Sequence, residues 1–274
     1  MIDVALLLGV FAGLMAVGLR LWRTLSGPAA GRRRLIARAA VLVALIAPAH
    51  LLAAWRLMNH QGFQLVGPLI SRVETSARVV ALTIDDGPGH AVWEVVRVLD
   101  ELAVPATFFV NGRALAADLG PARVLVAAGH ELGNHTFSHR RMIFRSQQFI
   151  RDEIEQTDDL IRDAGHQGPI LFRPPHGKKL LALPYYLVRT SRTTVMADVQ
   201  PDNRPRDAAA TVAFVLERTR PGSIVLLHAL GVRASRTALP GIVWGLRSRG
   251  YRFVTVSELL ANGPSPTGPV PPGS

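Results

Sequence analysis

The chain contains no cysteine. That excludes a disulfide framework, a thiolate metal site and a cysteine nucleophile, and leaves His, Asp and Glu as the only side chains that can hold a metal. It also agrees with an oxidising compartment. Lysine is nearly missing too, Lys178 and Lys179 being the only two, so arginine carries the basic charge. Aromatic residues make up 6% of the chain against a hydrophobic fraction of 49%. The excess must therefore lie in aliphatic stretches, a composition that points to a membrane segment.

The formal charge of +11 is unevenly spread. Residues 1–78 hold nine arginines against Asp3 and Glu74, a net of +7, which leaves +4 for the other 196 residues. The basic charge thus belongs mainly to an N-terminal attachment, and a nucleic-acid partner is not expected. At 274 residues the chain can hold one catalytic domain with that attachment.

Two uncharged apolar runs supply the attachment: Val4 to Leu19 and Ala39 to Trp55, the latter interrupted in character by Pro48 and His50. Each is close to the lower limit of about 17 residues for a spanning helix, and Trp22 and Trp55 suit the membrane interface. Between them lie Arg20, Arg23, Arg32, Arg33, Arg34 and Arg38, which the positive-inside rule places in the cytoplasm. The expectation is a membrane-spanning helical hairpin over 1–58 with the rest of the chain outside the cytoplasmic membrane. A cleaved signal, with Arg32 to Arg34 before the apolar run and Ala47-Pro48-Ala49 after it, is a second reading, and a pair of buried helices in a soluble protein a third. A linker is expected over 59–78, a catalytic domain over 79–262 and a disordered tail over 263–274, whose Gly, Pro and Ser cannot build a core.

From Val79 onward short apolar runs alternate with amphipathic ones. The predicted strands are Val79 to Ile84, Ala106 to Val110, Glu131 to His135, Ile170 to Arg173, Thr193 to Ala197, Ser223 to His228 and Arg252 to Val256. The clearest helix starts at an N-cap Ser146, runs through Ile150, Ile154, Leu160 and Ile161, and stops at Gly165. Such alternation argues for an α/β fold with a parallel sheet, closed or open.

Polar clusters follow four of these strands. Thr83-Ile84-Asp85-Asp86-Gly87-Pro88 ends the first; it reads as a turn, or as two carboxylates pointing different ways, one to ligate and one to act as a base. His135-Thr136-Phe137-Ser138-His139 follows the third, and in a helical turn both imidazoles would share a face and reach one ion. Thr136 stands where a zinc protease of the His-Glu-x-x-His kind needs its Glu, which disfavours that class. Arg173-Pro174-Pro175-His176-Gly177 is a rigid loop able to aim an arginine and a backbone N–H. Leu226-Leu227-His228 ends an apolar strand, with Asp202 as a carboxylate partner for the histidine.

Taken in order, these clusters resemble the motif set of the polysaccharide deacetylases, the NodB-homology or carbohydrate esterase family 4 proteins, over roughly residues 79–260. The resemblance implies a distorted (β/α)7 barrel. It implies one divalent metal ion, Zn2+ or else Co2+, Ni2+ or Mn2+, on Asp86, His135 and His139. It implies Asp85 as base, oriented by Arg173, and His228 as acid, held by Asp202. Pro175, His176 and Leu226 are placed against the substrate, the His176 N–H serving the oxyanion. The sequence departs from the pattern at Ile84, at His176 in place of Tyr, and in Ala197 to Asn203, where the usual tryptophans are missing. The expected activity is metal-dependent N-deacetylation of an N-acetylated polysaccharide or peptidoglycan at the cell surface or cell wall, with membrane lipid as a second partner. An O-deacetylase on acetylated polysaccharide and a catalytically silent glycan-binding protein on the same fold are the alternatives.

Overall fold

The computed structural model describes residues 16, 20, 31–201 and 207–261. The chain divides into two compact units, Met1–His60 and Gln61–Ser274. In the first, helix α1 (Arg32–Met58) runs for 27 residues, with Pro48 inside it. Its stretch Ala39–Leu57 has a mean hydropathy of 1.8 over 19 residues, and it is the one helix among the described residues long and apolar enough to cross a membrane. Val43, Leu51 and Trp55 are exposed along it. The first apolar run of the expected hairpin lies outside the described residues except for Ala16, as does the tail 263–274.

The second unit is a parallel α/β structure. Strand β2 (Val79–Asp85) is buried along its whole length, as an uninterrupted apolar run in a sheet covered on both faces should be. It pairs with β3 (Thr107–Val110) on one side and β6 (Ile224–Leu227) on the other, β3 pairs in turn with β4 (Glu131–Asn134), and β7 (Arg252–Val254) joins the start of β2. A two-stranded sheet pairs β1 (Leu69–Ile70) with β5 (Thr194–Val195). Every one of these pairings is parallel. Single parallel bridges, Asn134 to Phe172, Phe172 to Thr194 and Val199 to Val225, run between the two sheets.

Two details differ from the expectations. Ile170 to Arg173 forms no strand, and its backbone pairs with neighbouring strands only through the bridges at Phe172, because Arg173 turns straight into the Pro174-Pro175 corner. Residues 61–78, expected as linker, belong to the compact second unit and contribute β1 to it.

Period-two alternation sorts the side chains of β2. Val80, Leu82 and Ile84 pack with Leu99 of α2 (Val92–Glu101) and Leu239 and Ile242 of α8 (Arg233–Arg247). Val79 and Ala81 face the opposite way, into a second cluster with Phe109, Val195 and Leu226. Thr83 and Asp85 share that second face by the same alternation, so a hydroxyl and a carboxylate point into the interior at the strand's C-terminal end. The other helices are α3 (Gly112–Ala117), α4 (Gly120–Ala127), α5 (Gln147–Asp163), α6 (Ala182–Arg189), α7 (Ala208–Arg218) and α9 (Val256–Ala261). In α5 the expected cap is present, the Ser146 hydroxyl accepting from the Phe149 N–H at 3.2 Å.

Gly112 opens α3 at a point where no side chain fits. A Cβ there would meet Phe137 and the Thr157 hydroxyl, each at 2.5 Å. Gly112→Ala should therefore overpack this contact and cost about 1–3 kcal/mol, read as a fall of several degrees in the thermal unfolding midpoint. Gly89→Ala, where a Cβ meets nothing within 4 Å, is the control that should leave the midpoint in place. Equal midpoints for the two variants would contradict the packing argument.

Candidate active site

The site forms at the C-terminal ends of β2, β4 and β6, where a parallel α/β sheet places its loops. At its floor Arg173 and Asp85 make a buried ion pair, NH1 to Oδ1 at 2.5 Å, with the side chains 2% and 4% exposed. The guanidinium is held on all sides. NH1 also donates to the Thr83 hydroxyl at 2.8 Å, Nε donates to Val195 O and NH2 to Met196 O, both at 3.2 Å, and the plane lies 4.0 Å over the Phe109 ring. Burial pulls the Arg173 pKa down and the Asp85 charge pulls it back up.

Above this pair Asp86, His135 and His139 converge, their candidate ligand atoms within 4.8 Å of one another. His139 Nε2 is 3.3 Å and His135 Nε2 3.9 Å from Asp86 Oδ1. Ligand bonds of about 2.0–2.2 Å put the corners of a tetrahedral zinc site roughly 3.3–3.6 Å apart, so the set fits a small divalent ion with little adjustment. The tautomer fits as well. His135 Nδ1 is 2.7 Å from the Arg173 carbonyl, to which it can only donate, and this leaves Nε2 as a lone pair facing the cluster. Burial is the main cause that lowers the His135 pKa, and it favours the neutral ligand form.

The two histidines do not ride on a helical turn. The segment after β4 is a bend in which Thr136 (φ 68°) and His139 (φ 55°) are left-handed, and this brings the rings to 4.9 Å. Asp86 (φ 70°) and His176 (φ 56°) are left-handed too. Neighbours not anticipated from sequence hold the bend. Buried Glu153 on α5 accepts from the Ser138 N–H at 2.8 Å and the Ser138 hydroxyl at 2.5 Å. Asn134 accepts from the Thr136 N–H and donates to Ile154 O, both at 2.8 Å, and the Asn111 amide donates to His135 O at 3.2 Å. In the sequence Glu153 reads as one of several acids on a helix, and only its place on the buried side sets it apart.

The opposite wall carries the remaining expected residues. His228 Nε2 lies 3.9 Å from Asp86 Oδ2, and Leu226 is buried within the interior cluster below it. Pro175, His176 and Gly177 form a single tight turn whose hydrogen bonds, Gly177 N–H to Pro174 O and Lys178 N–H to Pro175 O, leave out the His176 N–H. The His176 ring stands 4.7 Å from that of His139, and partial burial with the nearby His139 and Arg141 lowers its pKa. Behind the turn Lys179 is buried and its pKa is lowered to about 8, by burial first and by Lys178 second. Asp202 lies outside the described residues. Asp198, four positions earlier, is tied to the start of β6, accepting from the Ile224 N–H at 2.9 Å and the Ser223 hydroxyl at 2.8 Å.

A family model described as polysaccharide deacetylase matches residues 72–192. A peptidoglycan-N-acetylglucosamine deacetylase of Bacillus cereus is 33% identical over 196 residues, 69% of this chain and 91% of that protein. Several other curated relatives are longer, the chain spanning 30% to 41% of their length. Among solved structures, a peptidoglycan N-acetylglucosamine deacetylase in complex with 4-naphthalen-1-yl-N-oxidanyl-benzamide superposes with a TM-score of 0.68 at 25% identity, covering 72% of this chain and 94% of that one. A pseudoenzyme of carbohydrate esterase family 4 from Bacillus anthracis superposes with a TM-score of 0.65 at 28% identity, covering 72% and 70%. With the ordered motifs brought together at one end of a parallel α/β fold, these likenesses show that the chain belongs to the polysaccharide deacetylases, the hydrolases of carbohydrate esterase family 4.

Proposed function

We propose that the protein is a membrane-anchored, metal-dependent N-deacetylase of cell-wall or cell-surface glycan, working outside the cytoplasmic membrane on a distorted (β/α)7 barrel. The observation that carries this reading is the convergence of Asp86, His135 and His139 directly above the buried Asp85–Arg173 pair, with His228 on the facing wall. Asp86, His135 and His139 would hold one divalent ion, Zn2+ by the fit of the donor set. When bound, such an ion supplies Lewis acidity toward the acetyl carbonyl and the attacking water.

The chain's own groups do the proton work. Arg173 fixes Oδ1 of Asp85, so Oδ2, 3.8 Å from His135 Nε2, faces the site and accepts the proton of the attacking water. The His176 N–H donates to the carbonyl oxygen as it gains negative charge, a contribution worth about 10²- to 10³-fold for one such donor. His228, oriented by Asp202, protonates the nitrogen as the carbon–nitrogen bond breaks. Acetate and a free amino sugar leave.

Four expectations test this reading. Combined His135→Ala and His139→Ala should strip the purified protein of its metal, measured by plasma mass spectrometry, and stoichiometric metal in that variant would overturn the ligand set. Asp85→Asn should abolish acetate release while metal stays bound, because the amide fills the space and accepts no proton. In the same assay His228→Ala should cost about 10²- to 10⁴-fold on an N-acetylated oligosaccharide and less on an O-acetylated one, since an amine leaves poorly without a proton; equal losses would make His228 a structural residue. For topology, a reporter active only in the cytoplasm and fused after Leu260 should stay silent, whereas a strong signal would reverse the orientation.

A further inference from the structure

Beside the cluster lies a cavity of about 410 Å3, walled by Asn111, Arg113, Phe137, Ser138, His139 and the small side chains of α3. Because His139 belongs to both, whatever fills the cavity is held next to the reacting group. Most of its polar lining is committed. Ser138 gives its N–H and hydroxyl to Glu153, the Asn111 amide donates to His135 O, and His139 faces Asp86. Arg113 differs. Its backbone N–H is spent on Phe137 O at 2.9 Å, which fixes the position of the residue, while its guanidinium makes no ion pair among the described residues. No carboxylate lines the cavity.

The charge of the rim has the same sign. Arg140 and Arg141 follow His139, are exposed, and have no carboxylate partner among the described residues. Two arginines on helices away from the site are paired with carboxylates, Arg97 with Glu101 and Arg236 with Glu94. A guanidinium on a concave wall, in a region of uncompensated positive charge, is suited to bind a carboxylate or phosphate through paired hydrogen bonds.

We propose that this cavity is a subsite for an acidic substituent, a carboxylate or a phosphate, on the N-acetylated glycan, and that Arg113 selects glycans that carry one. The proposal rests on the deacetylase reading and adds the charge class of the substrate. The test uses the detergent-solubilised full chain, metal-loaded, on three substrates: a neutral N-acetylglucosamine oligosaccharide, the same oligosaccharide bearing a carboxylate, and the same bearing a phosphate monoester. One or both acidic substrates should show a kcat/KM at least tenfold above the neutral one, mainly through KM, and added salt should shrink the preference. Arg113→Gln should remove most of that preference and Arg113→Glu should reverse it, while Arg113→Lys keeps part. Equal kcat/KM on all three substrates, or a preference that survives Arg113→Glu, would overturn the subsite.

If no substrate releases acetate, the deacetylase reading has failed and binding decides the subsite. Calorimetry on the Asp85→Asn chain should then show tighter binding of an acidic oligosaccharide, weakened by Arg113→Glu; equal binding of acidic and neutral oligosaccharides overturns the proposal. So does short-chain phosphatidylglycerol that binds through Arg113 while no glycan does, which would make the cavity a lipid headgroup site.

Discussion

The buried ion pair of Arg173 and Asp85 is the constraint on which the rest of the structure depends. A guanidinium and a carboxylate removed from water cost several kcal/mol each unless their geometry and hydrogen bonding are complete, and losing one partner of such a pair typically costs about 3–5 kcal/mol. Here four of the arginine's five N–H groups are taken by Thr83, Asp85, Val195 and Met196. Those partners lie on β2, on β5 and just after it, two elements that no ladder joins directly. The interaction therefore ties together parts of the fold and, in the same act, leaves one oxygen of Asp85 facing the site.

The loops above this pair are held against their own preferences. Asp86, His139 and His176 all adopt left-handed backbone, a conformation that costs a non-glycine residue of order 1 kcal/mol or more and persists only where the surroundings enforce it. The enforcement is visible. Glu153 grips Ser138, Asn134 grips Thr136, and the Asn111 amide holds the His135 carbonyl. Arg173 enters here as well, because its backbone carbonyl fixes the His135 tautomer and its N–H donates to Asn134 O at 2.9 Å. One residue thus orders both the proposed base and a metal-ligand candidate, the first through its side chain and the second through its main chain.

What the sequence made legible follows from these facts. The apolar runs at Val79, Ala106, Glu131, Ser223 and Arg252 marked strands because burial on both faces of a parallel sheet demands such runs, and the polar clusters after them marked the site. Two things resisted. Ile170 to Arg173 has the composition of a strand, yet two prolines follow at once and the backbone makes only bridges. The His135 to His139 spacing suggested a helical turn, whereas the rings meet through left-handed residues that composition does not announce. Glu153, Asn134 and Asn111 were hidden for a different reason: a side chain that supports a loop from a neighbouring helix or strand end carries no local motif. Asp202, the expected partner of His228, falls outside the described residues and stands as part of the proposal alone.

Which residues speak for catalysis, and which for the fold alone, can be separated by what the fold gains from them. Arg173 and Asp85 would be retained by a silent relative, since removing either leaves an uncompensated charge in the interior. Their presence argues little for turnover. Asp86 and His139 are different, with side chains 39% and 32% exposed and left-handed backbones. Their burial contributes little to stability, and the loops that carry them are strained to bring them together. Strain of that kind, held in place by Glu153 and Asn134 from outside the cluster, is accounted for by a ligand that all three of Asp86, His135 and His139 contact at once. The same reasoning extends to the cations at the rim, where Arg113, Arg140 and Arg141 are exposed and have no carboxylate partner among the described residues. A negatively charged group brought by the substrate would supply the partner that these side chains lack.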